Sequence, residues 1–228
     1  MFTIKICGIT RTDDAIVAAE AGADAIGVNF YAKSPRCVSI ETAKLIAASI
    51  NNLVAGRPLL VGVFVNATAA EIARTVSAVP LDAIQLHGDE PPQFVTELPP
   101  GVPVIRAARI GSAGLTEAAA YRDACSAVGR PLAAVLLDAS VKVAPGEEVV
   151  YGGSGHRLDW PRVAAERGVL ASTPLILAGG LTPVNVAEAI TVSRCDGVDT
   201  ASGVESSPGV KDHRMVRAFV KAARKALH

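Results

Sequence analysis

Eight times along the chain, a short and nearly continuous apolar run is followed by an amphipathic stretch, and this alternation constrains the fold more than any other feature. The apolar runs are Thr3–Ile9, Ala25–Phe30, Leu59–Val65, Ala83–His87, Val102–Ala107, Ala133–Ala139, Leu175–Ala178 and Gly197–Ala201. Runs without polar alternation are expected of strands covered on both faces by helices. Between them the spacing predicts helices over Thr12–Ala21, Ile40–Ile50, Ala69–Val79, Pro91–Leu98, Thr116–Ala127, Trp160–Arg167, Pro183–Thr191 and Asp212–Leu227. Thr68 and the Thr182-Pro183 pair read as helix starts, and Gly22 and Gly168 as left-handed residues just past helix ends. Eight β-then-α units in 228 residues predict a single-domain (β/α)8 TIM barrel, a parallel eight-stranded α/β fold spanning residues 1–228. An open doubly wound sheet is the competing arrangement, but no GxGxxG turn follows the first strand. The longest connection, Ser140–Leu158, reads as a lid or binding loop.

Composition narrows the function. Lys plus Arg and Asp plus Glu both number 22, so the net charge is zero, and there is no basic tract. A nucleic-acid partner is therefore not expected. An anionic small molecule remains compatible, because backbone N–H groups bind phosphate without adding formal charge. Half the residues are hydrophobic, yet no run reaches the roughly 18 apolar residues of a membrane span. The start, MFTIKICGIT, reads as a charged strand rather than a signal peptide. The four cysteines, Cys7, Cys37, Cys125 and Cys195, form no CxxC pair and no zinc-spaced cluster, so a metal site is not expected and a reducing cytoplasm is. Taken singly, each reads as a small buried hydrophobe.

In a barrel of this kind the active site forms at the C-terminal ends of the strands. The polar residues that end the apolar runs are Cys7, Asn29, Gln85 with His87, Arg106, Asp138 and Asp199. Alternation places Lys5 with Cys7, Gln85 with His87, and Leu136 with Asp138 on shared faces. An aspartate at the end of AVLL is costly to bury unless it is paired or put to use. It could equally cap the next helix or pair with Lys5 or Arg106, and His87 alone reads as a satisfied rim histidine. The convergence of several such groups at one end of a barrel is what points to catalysis.

Read in order, Lys5-Ile6-Cys7-Gly8-Ile9-Thr10, Ser34-Pro35-Arg36, Val61-Gly62-Val63-Phe64-Val65-Asn66, Gln85-Leu86-His87-Gly88, Leu136-Leu137-Asp138, Gly152-Gly153-Ser154-Gly155, Leu177-Ala178-Gly179-Gly180-Leu181 and Ser202-Gly203-Val204-Glu205 resemble the phosphoribosylanthranilate isomerase family almost end to end. Asn29 and Thr200-Ala201 depart from the usual family residues at positions not expected to carry chemistry. The resemblance implies an Amadori rearrangement of N-(5-phosphoribosyl)anthranilate to 1-(2-carboxyphenylamino)-1-deoxyribulose 5-phosphate in tryptophan biosynthesis, without cofactor or metal. It implies Cys7 as general base and Asp138 as general acid. It also assigns Arg36 to the anthranilate carboxylate, His87 and Asp199 to substrate orientation, and Gly153, Ser154, Gly155, Gly179, Gly180, Ser202 and Gly203 to the phosphate.

Lys5, one alternation before Cys7, is expected to favour the thiolate, and desolvation or Asp199 to keep Asp138 protonated. Read without the motif, Arg36 is a solvated loop arginine and each glycine a tight turn. The competing functions are a histidine-pathway barrel isomerase, which would use two aspartates, and a non-catalytic phosphate-binding barrel. The expected partner is a small phosphorylated substrate, with no nucleic acid or membrane, and the expected state is a monomer or weak homodimer.

Overall fold

The computed structural model describes residues 2–51, 53, 56–109, 114–138 and 158–227. Eight parallel strands close into a barrel in sequence order: β1 (Ile4–Ile6), β2 (Ala25–Asn29), β3 (Leu59–Phe64), β4 (Ala83–Leu86), β5 (Val104–Arg109), β6 (Ala134–Asp138), β7 (Leu175–Leu177) and β8 (Gly197–Thr200). The ladder closes where Lys5 of β1 pairs with Asp199 of β8. Outside lie α1 (Thr12–Glu20), α2 (Ile40–Ile50), α3 (Ala69–Ala78), α4 (Thr116–Ala127), α5 (Trp160–Glu166), α6 (Val186–Ser193) and α7 (His213–Leu227). A short antiparallel hairpin, β9 (Glu205–Ser207) with β10 (Val210–Lys211), follows β8.

The apolar runs form two cores. One lies between strands and helices and includes Ile26, Ile46, Leu137 and Phe219. The other fills the barrel with Phe2, Ala25, Val61, Ala83, Ile105, Ala107, Ala134, Leu136, Ile176 and Ala178. In α7 the buried Val216, Phe219, Val220 and Ala223 recur at helical spacing, which holds that face against the barrel. Burying a side chain such as Phe219 contributes about 1.5–3 kcal/mol. The two ends of the chain meet at Asp24, whose carboxylate accepts hydrogen bonds from the Thr3 and Ile4 backbone N–H groups and from Arg224.

Several local expectations hold. Thr68 caps α3 in a reciprocal capping box with Glu71, and Gly22 is left-handed (φ 93°) after α1. Others change. The stretch expected as a helix at Pro91–Leu98 is a shorter 3-10 helix, Pro92–Glu97, in which the Phe94 N–H donates to the Pro91 carbonyl three residues back. Helix α6 starts at Val186 rather than Pro183. Asn185 accepts from the Thr182 N–H and donates to the Gly180 carbonyl, tying residues 180–185 into a turn before the helix begins. Gly168 lies inside a 3-10 turn, and the positive φ after that segment falls on Ala171 instead. Cys125 and Cys195 are buried as small hydrophobes, whereas Cys37 is exposed and Cys7 half-buried. The connection Ser140–Leu158 lies almost wholly outside the described residues.

Candidate active site

A cavity of about 780 Å³, counting its open mouth, lies at the C-terminal ends of the strands, within the range of small-molecule sites. Cys7, Arg36, Gln85, His87, Asp138, Asp199 and the Gly179-Gly180 and Ser202-Gly203 turns all line it. Among the expected residues, Gly153, Ser154 and Gly155 lie outside the described residues. Arg106, a strand-end candidate, is directed elsewhere: it binds Glu90 at 2.6 Å and lies over the ring of Tyr121.

On the β1 side, Cys7 stands above a fully buried Lys5, whose Nζ binds Asp199 Oδ1 at 2.9 Å. Room for the thiol comes from β2. A Cβ on Gly27 would lie 2.7 Å from Cys7 Sγ and 3.1 Å from Lys5 Cε, so any larger residue there would displace the thiol. Desolvation raises the pKa of Cys7 above that of an ordinary thiol. Lys5 pulls it down, Asp199 pushes it up, and Lys211 pulls it down. The expected influence of Lys5 is therefore present, but burial outweighs it. Lys5 itself keeps a raised pKa, because Asp199 and Cys7 overcome the desolvation of its ammonium.

Opposite, Asp138 ends β6 with 6% exposure, and its Oδ2 lies 3.1 Å from His87 Nε2. The alternative pairings with Lys5 and Arg106 do not occur, since those cations bind Asp199 and Glu90. His87 Nδ1 in turn lies 3.1 Å from Gln85 Nε2.

Arg36 is held rather than solvated. Its Nε and Nη2 donate to Glu205 at 2.8 and 2.7 Å, and Lys211 binds the same carboxylate at 2.9 Å. Glu205 is desolvated, which raises its pKa, but the Arg36 and Lys211 contacts outweigh this and leave it below the usual carboxylate range. Its hydrogen bonds to Glu205 raise the pKa of Arg36 further. The Nε/Nη2 edge of Arg36 is therefore occupied, while Nη1 carries no hydrogen bond among the described residues. A guanidinium has five N–H donors, so the Nη1/Nη2 edge still offers a two-pronged grip, now pre-oriented by Glu205. Sequence reasoning missed Glu205, Lys211 and Gly27. The hairpin that sets Lys211 beside Glu205 leaves no periodic signal, and a strand glycine reads only as a weak strand former. Asn29 also lines the cavity. It accepts from the Tyr31 N–H and donates to Ser34, which shapes the loop that carries Arg36.

The opposite rim is backbone-rich. Gly179 and Gly180 have φ of 80° and 68°, conformations that L side chains rarely adopt. A Cβ on Gly203 would overlap the Leu181 carbonyl and sit 2.8 Å from Thr200 Oγ1. Thr200 Oγ1 already donates to that carbonyl at 2.7 Å, so the two loops are locked together. Gly203→Ala is therefore expected to push the loops apart and raise KM for a phosphorylated substrate much more than it lowers kcat. A KM equal to that of the wild type would show that this contact does not shape the site.

The chain matches the family model described as N-(5'-phosphoribosyl)anthranilate (PRA) isomerase over residues 4–222. It is 48% identical to an N-(5'-phosphoribosyl)anthranilate isomerase of Myxococcus xanthus, over 97% of this chain and 95% of that protein. It resembles a crystal structure of phosphoribosyl anthranilate isomerase from Thermotoga maritima with TM-score 0.82 and 35% identity, over 99% of this chain and all of the other. A crystal structure of phosphoribosyl anthranilate isomerase in complex with reduced 1-(o-carboxyphenylamino)-1-deoxyribulose 5-phosphate is similar with TM-score 0.80 and 35% identity, over 99% of this chain and 100% of the other.

Proposed function

Because the chain belongs to the N-(5'-phosphoribosyl)anthranilate isomerase family, we propose that Cys7 and Asp138 are the base and acid with which it carries out that reaction. The protein is a phosphoribosylanthranilate isomerase of tryptophan biosynthesis. The observation that carries the residue roles is that the Cys7 thiol, just past β1, and the Asp138 carboxyl, at the end of β6, open into the same cavity.

The chemistry needs two proton transfers. Asp138 protonates the furanose ring oxygen, and the C1–O bond breaks as the anilino nitrogen supplies electrons, giving a Schiff base. Cys7 removes the proton from sugar C2, and the electron pair moves toward nitrogen to give an enolamine. This tautomerises to the ketone. The acid must hold a proton near neutral pH, and the base must surrender one, which calls for different surroundings around the two groups. The surroundings do differ: Cys7 lies above a buried ammonium that offsets part of the desolvation of its thiolate, whereas Asp138 faces an imidazole.

Arg36 would take the anthranilate carboxylate through its Nη1/Nη2 edge, with Glu205 fixing its plane. Gly179, Gly180, Ser202 and Gly203 would cradle the phosphate at the rim, as barrels commonly do after the seventh and eighth strands, with Gly153, Ser154 and Gly155 completing the cradle. Asp199 would orient the anthranilate amine or a ribose hydroxyl while it holds Lys5, and His87 would support Asp138. The same reading takes residues 1–228 as one cytoplasmic domain, a monomer or weak homodimer, acting on a small phosphorylated substrate. Zero net charge supports the absence of a nucleic-acid partner, and among the described residues no helix is long and apolar enough to cross a membrane.

The test is loss of anthranilate-type fluorescence when phosphoribosylanthranilate is generated in place by an upstream transferase. Rapid loss with this protein is expected, and a folded protein that leaves the signal unchanged would reject the reading. Arg36→Met should raise KM at least about tenfold, since charge-assisted hydrogen bonds to a carboxylate contribute about 1.5–3 kcal/mol. An unaltered KM would remove Arg36 from the carboxylate.

A further inference from the structure

Gln85 is 1% exposed on β4, and its Oε1 has no hydrogen-bond partner among the described residues. Its Nε2 lies 3.1 Å from His87 Nδ1, and His87 Nε2 lies 3.1 Å from Asp138 Oδ2. An amide N–H can only donate, so the Nδ1 it faces must be the bare nitrogen of a neutral ring, with the proton on Nε2. That N–H then donates to Asp138. We propose that Gln85 is a positioning residue for the acid step: by donating to Nδ1 it holds His87 in the Nε2–H tautomer, so that the imidazole cannot withdraw the proton Asp138 must deliver.

A histidine beside a carboxyl has two ways to share protons. It forms an imidazolium–carboxylate pair, or it stays neutral beside a carboxyl that keeps its proton. Imidazolium requires an N–H on both ring nitrogens, and here a second N–H would point at the amide donor of Gln85. Turning the amide over would set Oε1 against Nδ1 and permit the imidazolium. The turn would put the NH2 group where Oε1 now stands without a partner, and the residues paired with Gln85 on the adjoining strands, Val63 and Ile105, have no acceptor side chain to receive it. Of the two arginines on β5, Arg106 is engaged by Glu90, and Arg109, in register with Asp138, reaches Asp89 at 3.7 Å. With Oδ2 accepting from His87, the acid proton sits on Oδ1. In the reaction the Oδ1–H bond breaks, the proton goes to the sugar ring oxygen, and the electron pair stays on the carboxylate. The imidazole gains and loses nothing.

The catalytic consequence rests on Asp138 being the acid, whereas the tautomer does not. The experiment is nitrogen-15 NMR of the histidine rings in the full chain, with His87 assigned by loss of its signals in His87→Asn. Wild type is expected to show the Nε2–H tautomer. Gln85→Glu offers Nδ1 an acceptor and should give a doubly protonated ring, with kcat down about tenfold or more and KM little changed. Gln85→Met, close in volume, should lose the tautomer preference while staying folded by melting temperature. An Nδ1–H ring in wild type would overturn the proposal whatever the activity. A doubly protonated ring in Gln85→Glu with kcat equal to wild type would overturn its catalytic part. Normal turnover by Asp138→Asn would instead remove the acid assignment and leave the tautomer result standing.

Discussion

Cys7→Ala is expected to lower kcat by about 100-fold to 10,000-fold, the usual contribution of one positioned proton-transfer group. The fold should be almost untouched. The thiol sits in the gap left by Gly27, and Lys5 keeps its partner Asp199 after the thiol is gone. The measurement is steady-state fluorescence decay, with melting temperature as the control. A variant that melts like wild type and turns over like wild type would remove Cys7 from the chemistry.

The pH profile gives a second reading of the same residue. Burial holds the thiol above its ordinary pKa, so the thiolate fraction is small at neutral pH and kcat/KM should rise with pH, with its midpoint above the roughly 8.5 of a free cysteine. Lys5 stabilises the thiolate, so removing it should move the midpoint higher still. Lys5→Met alone leaves Asp199 buried and unpaired, which costs about 3–5 kcal/mol. The sound comparison is therefore Lys5→Met with Asp199→Asn. The pull of Lys5 on Cys7 exceeds the push of Asp199, so the double variant should still shift the profile upward. A midpoint that stays in place would show that these charges do not tune the base.

Asp138→Asn is expected to produce a loss of similar size by a different route. The amide oxygen of asparagine can still accept from His87 Nε2, so the contact at 3.1 Å survives while the transferable proton is lost. Stability should change little, and ring opening should become the slow step. A near-normal kcat would pass the acid role to another group. The two variants together also separate this reaction from a two-aspartate isomerase. That mechanism would be indifferent to Cys7, whereas here both substitutions are expected to abolish most turnover.

The eight units, the strand-end residues and the order of motifs were all legible in the chain, because they depend on local chemistry. Continuous apolar runs identify buried parallel strands, and period-2 alternation sets Cys7, His87 and Asp138 on the faces that carry function. Thr68 and Glu71 announce a capping box in four residues. The local errors have a common cause, since the Thr182–Asn185 turn and the left-handed Ala171 are settled by bonds that chain composition does not advertise.

The pairings were decided only by the tertiary structure. Lys5 meets Asp199 194 residues away, Arg36 meets Glu205 across 169, and His87 meets Asp138 across 51. Barrel closure sets those partners, and no local pattern encodes which of several buried charges will stand opposite one another. The net direction of the Cys7 shift belongs to the same class. Sequence placed a cation beside the thiol, but the desolvation that outweighs it exists only once eight strands have closed around both.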